Sequence, residues 1–175
     1  MNQSTNGGEK IMAQETLIDY LGEVLEESDF EFDWKLEWNK KQHAIEVYFS
    51  IFAEQKENNI IIEDIEGTAT QNEIIQFEDA ICFFDPKKSK IQMDNYLKAF
   101  PFDFKMGIEK GYIDAILKTL RIVVTEGQSD LLDFATDPTI EEFELNWNDM
   151  NFDGTIKTLK DINRYSEEKL LYPKY

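Results

Sequence analysis

Phe30-Glu31-Phe32-Asp33-Trp34-Lys35-Leu36-Glu37-Trp38 decides the fold class. Apolar side chains occupy every even position and charged ones every odd position, a period of two that a strand satisfies and a helix does not. After the polar Asn39-Lys40-Lys41-Gln42, Ile45, Val47, Phe49 and Ile51 alternate in the same way. Two alternating runs joined by a short polar link predict a long antiparallel hairpin with one dry and one wet face. Trp34 and Trp38 share parity with Phe30, Phe32 and Leu36, so both indoles are expected on the dry face.

Upstream, Leu17, Ile18, Leu21, Val24 and Leu25 recur at three and four within Thr16 to Glu27, the signature of an amphipathic helix. Downstream, Ile60 to Ile65 and Ile74 to Phe84 read as third and fourth strands around a turn at Gly67 to Asn72. The inner pattern of the fourth slips at Asp79 and Ala80, which predicts a bulge, and Asp85-Pro86 closes it. A short helix is expected at Asp94 to Ala99. The main helix should run from about Lys105 to Glu126 with Gly127 as its stop, and Ser129 should cap a further turn or two through Phe134. Phe143, Leu145 and Trp147 alternate with Glu144 and Asn146, predicting a fifth strand over Glu142 to Trp147. A last helix is expected from about Gly154 to Leu170.

These elements make a single α+β domain: an antiparallel sheet of about four to five strands, packed on one face by two main helices, plus a C-terminal helix. The domain is expected over residues 12–170, with 171–175 as a tail. Residues 1–11 are polar and lack apolar periodicity, so they are read as a disordered or mis-annotated upstream extension.

Acidity is the strongest compositional feature. The chain of 175 residues carries 36 Asp and Glu against 18 Lys and Arg, a formal net charge of −18, with one His and one Cys. Such a surplus repels nucleic acid and anionic membrane and attracts basic partners. At 42% hydrophobic and 13% aromatic, the chain nevertheless has material for a packed core and is no disordered acidic tail. No apolar run approaches the roughly 20 residues that span a bilayer, and a lone cysteine fits a reducing compartment, so a cytoplasmic location is expected.

The chain resembles a family of small uncharacterised cytoplasmic proteins of low-GC Gram-positive bacteria, a domain of unknown function. The resemblance rests on Phe32-Asp33-Trp34, on Lys41 to Val47, on Phe77 to Pro86, on Asp130-Leu131-Leu132-Asp133-Phe134 and on Glu142-Phe143-Glu144-Leu145. It implies an α+β domain and brings no activity, cofactor or catalytic residue. Gly7-Gly8-Glu9 is encodable by a purine-rich stretch like a ribosome-binding site, which makes Met12 the expected native start. An expression tag is the alternative. Glu9 and Lys10 cancel, so the net charge is unaffected.

The sharpest motif is Asp149-Met150-Asn151-Phe152-Asp153-Gly154-Thr155, where Asp149, Asn151 and Asp153 occupy positions one, three and five of a calcium-type loop, Gly154 occupies six and Thr155 completes the candidate ligand set. Lys160 stands at position twelve, where a bidentate Glu belongs. The loop is therefore read as structural, a strand-to-helix connection with Asp153 as N-cap. His43 sits at the hairpin turn without a second His or Cys near it in sequence, and Cys82 lies in the apolar run Ala80-Ile81-Cys82-Phe83-Phe84, as a buried inert thiol would. Acidic pairs such as Glu63-Asp64 and Glu78-Asp79 arise from composition alone. No catalytic residue, cofactor site or metal site is assigned.

The expected function is a non-enzymatic binding or regulatory module engaging a basic protein partner, with no direct nucleic-acid or membrane binding. The alternatives are a DNA-mimic inhibitor of a DNA-binding protein and a carboxylate or metal-dependent hydrolase. The sequence leaves the oligomeric state open.

Overall fold

The computed structural model describes residues 14–55 and 73–175. The expected extension at 1–11, the strand at Ile60 to Ile65, the turn at Gly67 to Asn72 and the pair Glu63-Asp64 lie outside the described residues. Helix α1 (Leu17–Glu27) begins at Thr16, whose hydroxyl accepts the Asp19 N–H at 3.2 Å. It buries Leu17, Leu21 and Leu25, the stripe its periodicity predicts.

Strands β1 (Asp33–Asn39) and β2 (Ala44–Gln55) form the expected hairpin, with Trp34 opposite Phe49 and Trp38 opposite Ile45. Trp34 and Trp38 do lie on the core side, each half-buried. β3 (Glu73–Phe84) pairs antiparallel with β2 in one unbroken register from Ala44–Phe84 to Gln55–Glu73. The bulge expected at Asp79 and Ala80 is therefore absent. What disturbs the alternation is burial on both faces: Ala44, Cys82, Phe84 and Ala99 form a second small cluster on the outer face, covered by Ile91 and Tyr96.

The short helix expected at Asp94 to Ala99 is a single 3-10 turn (Met93–Asn95) followed by strand β4 (Lys98–Pro101). β4 runs parallel to β3, so the sheet, in the order β1-β2-β3-β4, is mixed and mostly antiparallel. The connection from 85 to 97 crosses the outer face and returns the chain to the edge in the same direction. In passing it covers Glu46, which is 5% exposed and accepts hydrogen bonds from Tyr48 and Tyr96.

The inner face packs on α1 and on α2 (Lys110–Thr136). The main helix does not stop at Gly127 as its sequence suggests. A Cβ there would lie 2.1 Å from Leu145 Cδ2, so glycine admits the crossing of the segment after the helix while the helix continues. Ser129 lies inside the same helix and caps nothing. Glu142 to Trp147 keeps the expected in-and-out alternation, with Leu145 buried and Phe143 and Trp147 half-buried, but is not a strand. Its backbone makes no hydrogen bond to another backbone group among the described residues.

Helix α3 (Asp149–Asp161) starts earlier and ends sooner than the expected Gly154 to Leu170, because the Asn148 side chain accepts the Asn151 N–H at 3.0 Å and nucleates the first turn. Leu170 belongs instead to strand β6 (Lys169–Leu170), paired with β5 (Ile108–Glu109). The residues expected as a tail are packed: Tyr172 stacks on Phe104 with ring centroids 3.7 Å apart and accepts the Trp38 indole N–H at 2.8 Å. These elements constitute one α+β domain. Among the described residues no helix is long and apolar enough to cross a membrane.

Candidate functional site

Helicity disperses the calcium-type motif. Asp149, Asn151 and Asp153 lie two residues apart on α3, about 200° around the axis at each step, so their oxygens cannot converge on one ion as they would in a loop. Asp149 pairs with Lys98 at 3.3 Å and Thr155 donates to the Asn151 carbonyl at 2.8 Å. Asp153, expected as the N-cap, stands within the helix, and Asn148 holds the capping role. Cys82 is fully buried, and burial, reinforced by nearby Glu46, pushes its thiol up to about 12, far from a reactive thiolate. His43 occupies the hairpin turn with φ 56° and stacks on Tyr175. Among the described residues no three His, Cys, Asp or Glu side chains gather in a way that could hold a metal.

Of the clefts outside these residues, two are lined by clustered charge. The larger, of about 850 Å³, lies between α1, α2 and the end of α3 and contains both arginines of the chain. Part of its polar lining is engaged within it: Arg121 donates to the Ser28 carbonyl and lies over the Phe30 ring, and Tyr20 donates to Asp114 at 2.6 Å. That chemistry closes the end of α1 rather than facing a ligand.

The second cleft is an acidic groove of about 340 Å³ between β3 and the segment after α2. Its apolar floor includes Ile75, Phe77, Leu131 and Phe134, with Phe143 set edge-on to Phe77 at 4.8 Å. Glu141, Glu142 and Glu144 stand on its rim, Glu78 is exposed on the neighbouring strand, and no Lys or Arg lines it. One side of the groove is an open strand edge. The Ala80 and Phe84 carbonyls accept Leu97 and Phe102 N–H groups, so even-numbered residues of β3 present their backbone toward β4. β4 pairs only with residues 81–84. By the same alternation Ile74, Gln76 and Glu78 present theirs to that side, and among the described residues no backbone partner meets them. Composition signals the acidity of this site, but the groove arises from segments more than fifty residues apart, which no local pattern reveals.

Asp79 sits at the closed end of this edge, on the core side opposite Phe49. Burial pushes its carboxyl above the ordinary range, against the backbone N–H groups of Ala80 and Leu97, which pull it down. A raised carboxyl binds its proton more tightly in the folded state, so its stabilising contribution is present at low pH and is lost as pH rises from the unfolded toward the folded value. Asp79→Asn is therefore expected to raise the urea midpoint at pH 7 and to do so less near pH 4. An equal gain at both pH values, or a loss at pH 7, would contradict the assignment.

The fold and the sequence both have relatives. A crystal structure described as a conserved protein of unknown function from Enterococcus faecalis, a low-GC Gram-positive bacterium, matches with a TM-score of 0.78 and 35% sequence identity, over 92% of this chain and 97% of that one. No curated protein gives a significant match. The family described as protein of unknown function DUF3013 matches residues 12–174, and with nearly the whole chain inside that match, the chain belongs to this family.

Proposed function

We propose that the protein is a non-enzymatic binding or regulatory module, and that it holds a basic protein partner by adding an extended segment of that partner to the open edge of β3. The observation that carries this reading is the coincidence of strand backbone at Ile74, Gln76 and Glu78, which meets no backbone partner among the described residues, with a groove rimmed by Glu141, Glu142 and Glu144. Strand addition draws affinity from main-chain hydrogen bonds and specificity from pockets for alternate side chains. Apolar residues of the incoming strand would meet Phe77 and Phe143, and lysines or arginines between them would meet the glutamates. The DNA-mimic reading needs carboxylates spaced like phosphates, and the hydrolase reading needs carboxylates that converge; the groove supports neither as directly.

A peptide of about eight residues alternating lysine with valine or phenylalanine, and the same peptide N-methylated at alternate backbone nitrogens, test the proposal at equal charge. Losing two or three backbone hydrogen bonds, each of about 0.5–1.5 kcal/mol, should weaken the methylated peptide by about tenfold or more. Gln76→Pro removes an N–H that β2 does not use, so it should keep the fold and weaken the unmethylated peptide, which loses one bond it accepts. Equal affinity of both peptides for the unmodified protein would reduce the interaction to general charge attraction and overturn the proposal.

A further inference from the structure

The cations of this acidic chain are not spread evenly. Three turns meet at one end of the sheet: the β1–β2 turn with Lys40 and Lys41, the turn after β3 with Lys87, Lys88 and Lys90, and the loop before β5 with Lys105. They are tied together by the Lys90 N–H on the Gln42 carbonyl at 3.2 Å, the Ser89 hydroxyl on the His43 carbonyl, and the Phe104 N–H on Asp85 Oδ2 at 3.1 Å. None of these six lysines is within ion-pair distance of a carboxylate among the described residues, although acidic residues outnumber basic ones two to one.

The carboxylates carried by these same turns are engaged elsewhere. Asp85 is 3% exposed and also accepts the Lys87 N–H at 2.9 Å. Asp103 accepts the N–H groups of Lys105 at 2.8 Å and Met106 at 3.3 Å, which hold its carboxyl below the ordinary range. Both shape the turns; Asp103 also attracts Lys87 and Lys105 through space but forms an ion pair with neither. Between the turns lies a cleft of about 280 Å³, lined by Lys88 and Lys105 together with His43, Phe104, Tyr172 and Tyr175. Its rings are pre-ordered: Tyr175 lies nearly parallel to His43, with 16° between the planes, and Tyr172 lies nearly parallel to Phe104. Tyr175 is 66% exposed, and its ring is held in place by Trp38 at 5.3 Å, by its hydroxyl donating to the Lys40 carbonyl at 2.9 Å and by the contact of that hydroxyl with His43 Nδ1.

We propose that this corner binds a phosphorylated nucleoside, with Lys88 and Lys105 on the phosphates and the base stacked on Tyr175. Lysine supplies point charge to phosphate, and an aromatic face accepts a base whatever its identity. The net charge of −18 selects a small ligand over a nucleic-acid strand. Screening confines the lysines' attraction to about 8–10 Å, so a long polyanion would also meet the acidic remainder of the surface, whereas a mononucleotide would not. The site shares no residue with the acidic groove and stands independently of the function proposed above.

Calorimetric titration of the full chain with ATP, adenosine and inorganic tripolyphosphate, at about 150 mM salt, tests the assignment. ATP should bind most tightly. The Lys88→Ala, Lys105→Ala double variant should weaken ATP by about tenfold or more with an unchanged melting temperature, since both side chains are exposed. Tyr175→Ala should weaken ATP by about fivefold or more and leave tripolyphosphate unchanged. Tripolyphosphate binding as tightly as ATP, no ATP binding at all, or full ATP affinity in the lysine variant would each overturn the proposal.

Discussion

Phe100→Ala is expected to destabilise the domain by about 3–5 kcal/mol, measured as the loss of unfolding free energy in urea. Phe100 lies on β4 and is 1% exposed. Its ring packs against Phe83 of β3 at 5.6 Å, Tyr112 of α2 at 6.4 Å, Trp147 at 5.4 Å and Phe152 of α3 at 6.0 Å. One side chain thus joins the sheet, the long helix, the extended segment after it and the last helix. Trp147 depends on this packing, because its indole N–H is buried and has no hydrogen-bond partner among the described residues to hold it. The cavity left by alanine should release Trp147 and α3 together, so the substitution should also shift tryptophan fluorescence before global unfolding. A loss below about 1 kcal/mol would show that the cluster collapses around the gap and that these elements are held by other contacts.

Removal of residues 171–175 is expected to cost about as much, on the order of 3–5 kcal/mol, by analogy with losing a large buried aromatic. The Leu171 carbonyl accepts the Leu17 N–H at 2.8 Å, and the Leu171 N–H donates to the Glu15 carbonyl at 3.2 Å, so the segment anchors the start of α1. Tyr172 covers Phe104 and accepts from Trp38, which would be left with an unpartnered indole N–H. The melting temperature of the shortened chain reads this directly. An unchanged value would restore these residues to the status of a tail. Tyr172→Ala alone should account for a large part of the effect, which separates ring packing from the backbone bonds of Leu171.

Where the sequence proved readable, the burial pattern was local. β1 and α1 each bury one face along their own length, and a period of two or of about 3.6 records that directly, whereas β2 and β3 are buried on both faces where the 85–97 connection covers them. Where it misled, a distant group decided the outcome. Phe143, Leu145 and Trp147 alternate as a strand would, and alternate in burial, but a strand also needs a partner's backbone and none arrives among the described residues. Gly127 looks like a helix stop, yet its missing Cβ serves the passage of Leu145. The motif at Asp149 to Thr155 has the oxygen spacing of a loop, but Asn148 caps its first turn and winds it into a helix, which turns Asn151 away from Asp149 and Asp153.

Charge follows the same division. Composition determined by itself that the molecule is acidic, and local periodicity determined that it is an α+β domain with an aromatic inner sheet face. Only the tertiary structure decided how the charge is distributed, because a net value is a sum that carries no positions. Folding brings six lysines from three separate turns to one end of the sheet, and brings Glu141, Glu142 and Glu144 beside an edge of β3 that no backbone pairs among the described residues. Both juxtapositions join residues far apart in the chain, and long-range contacts of that kind leave no period in the sequence that records them.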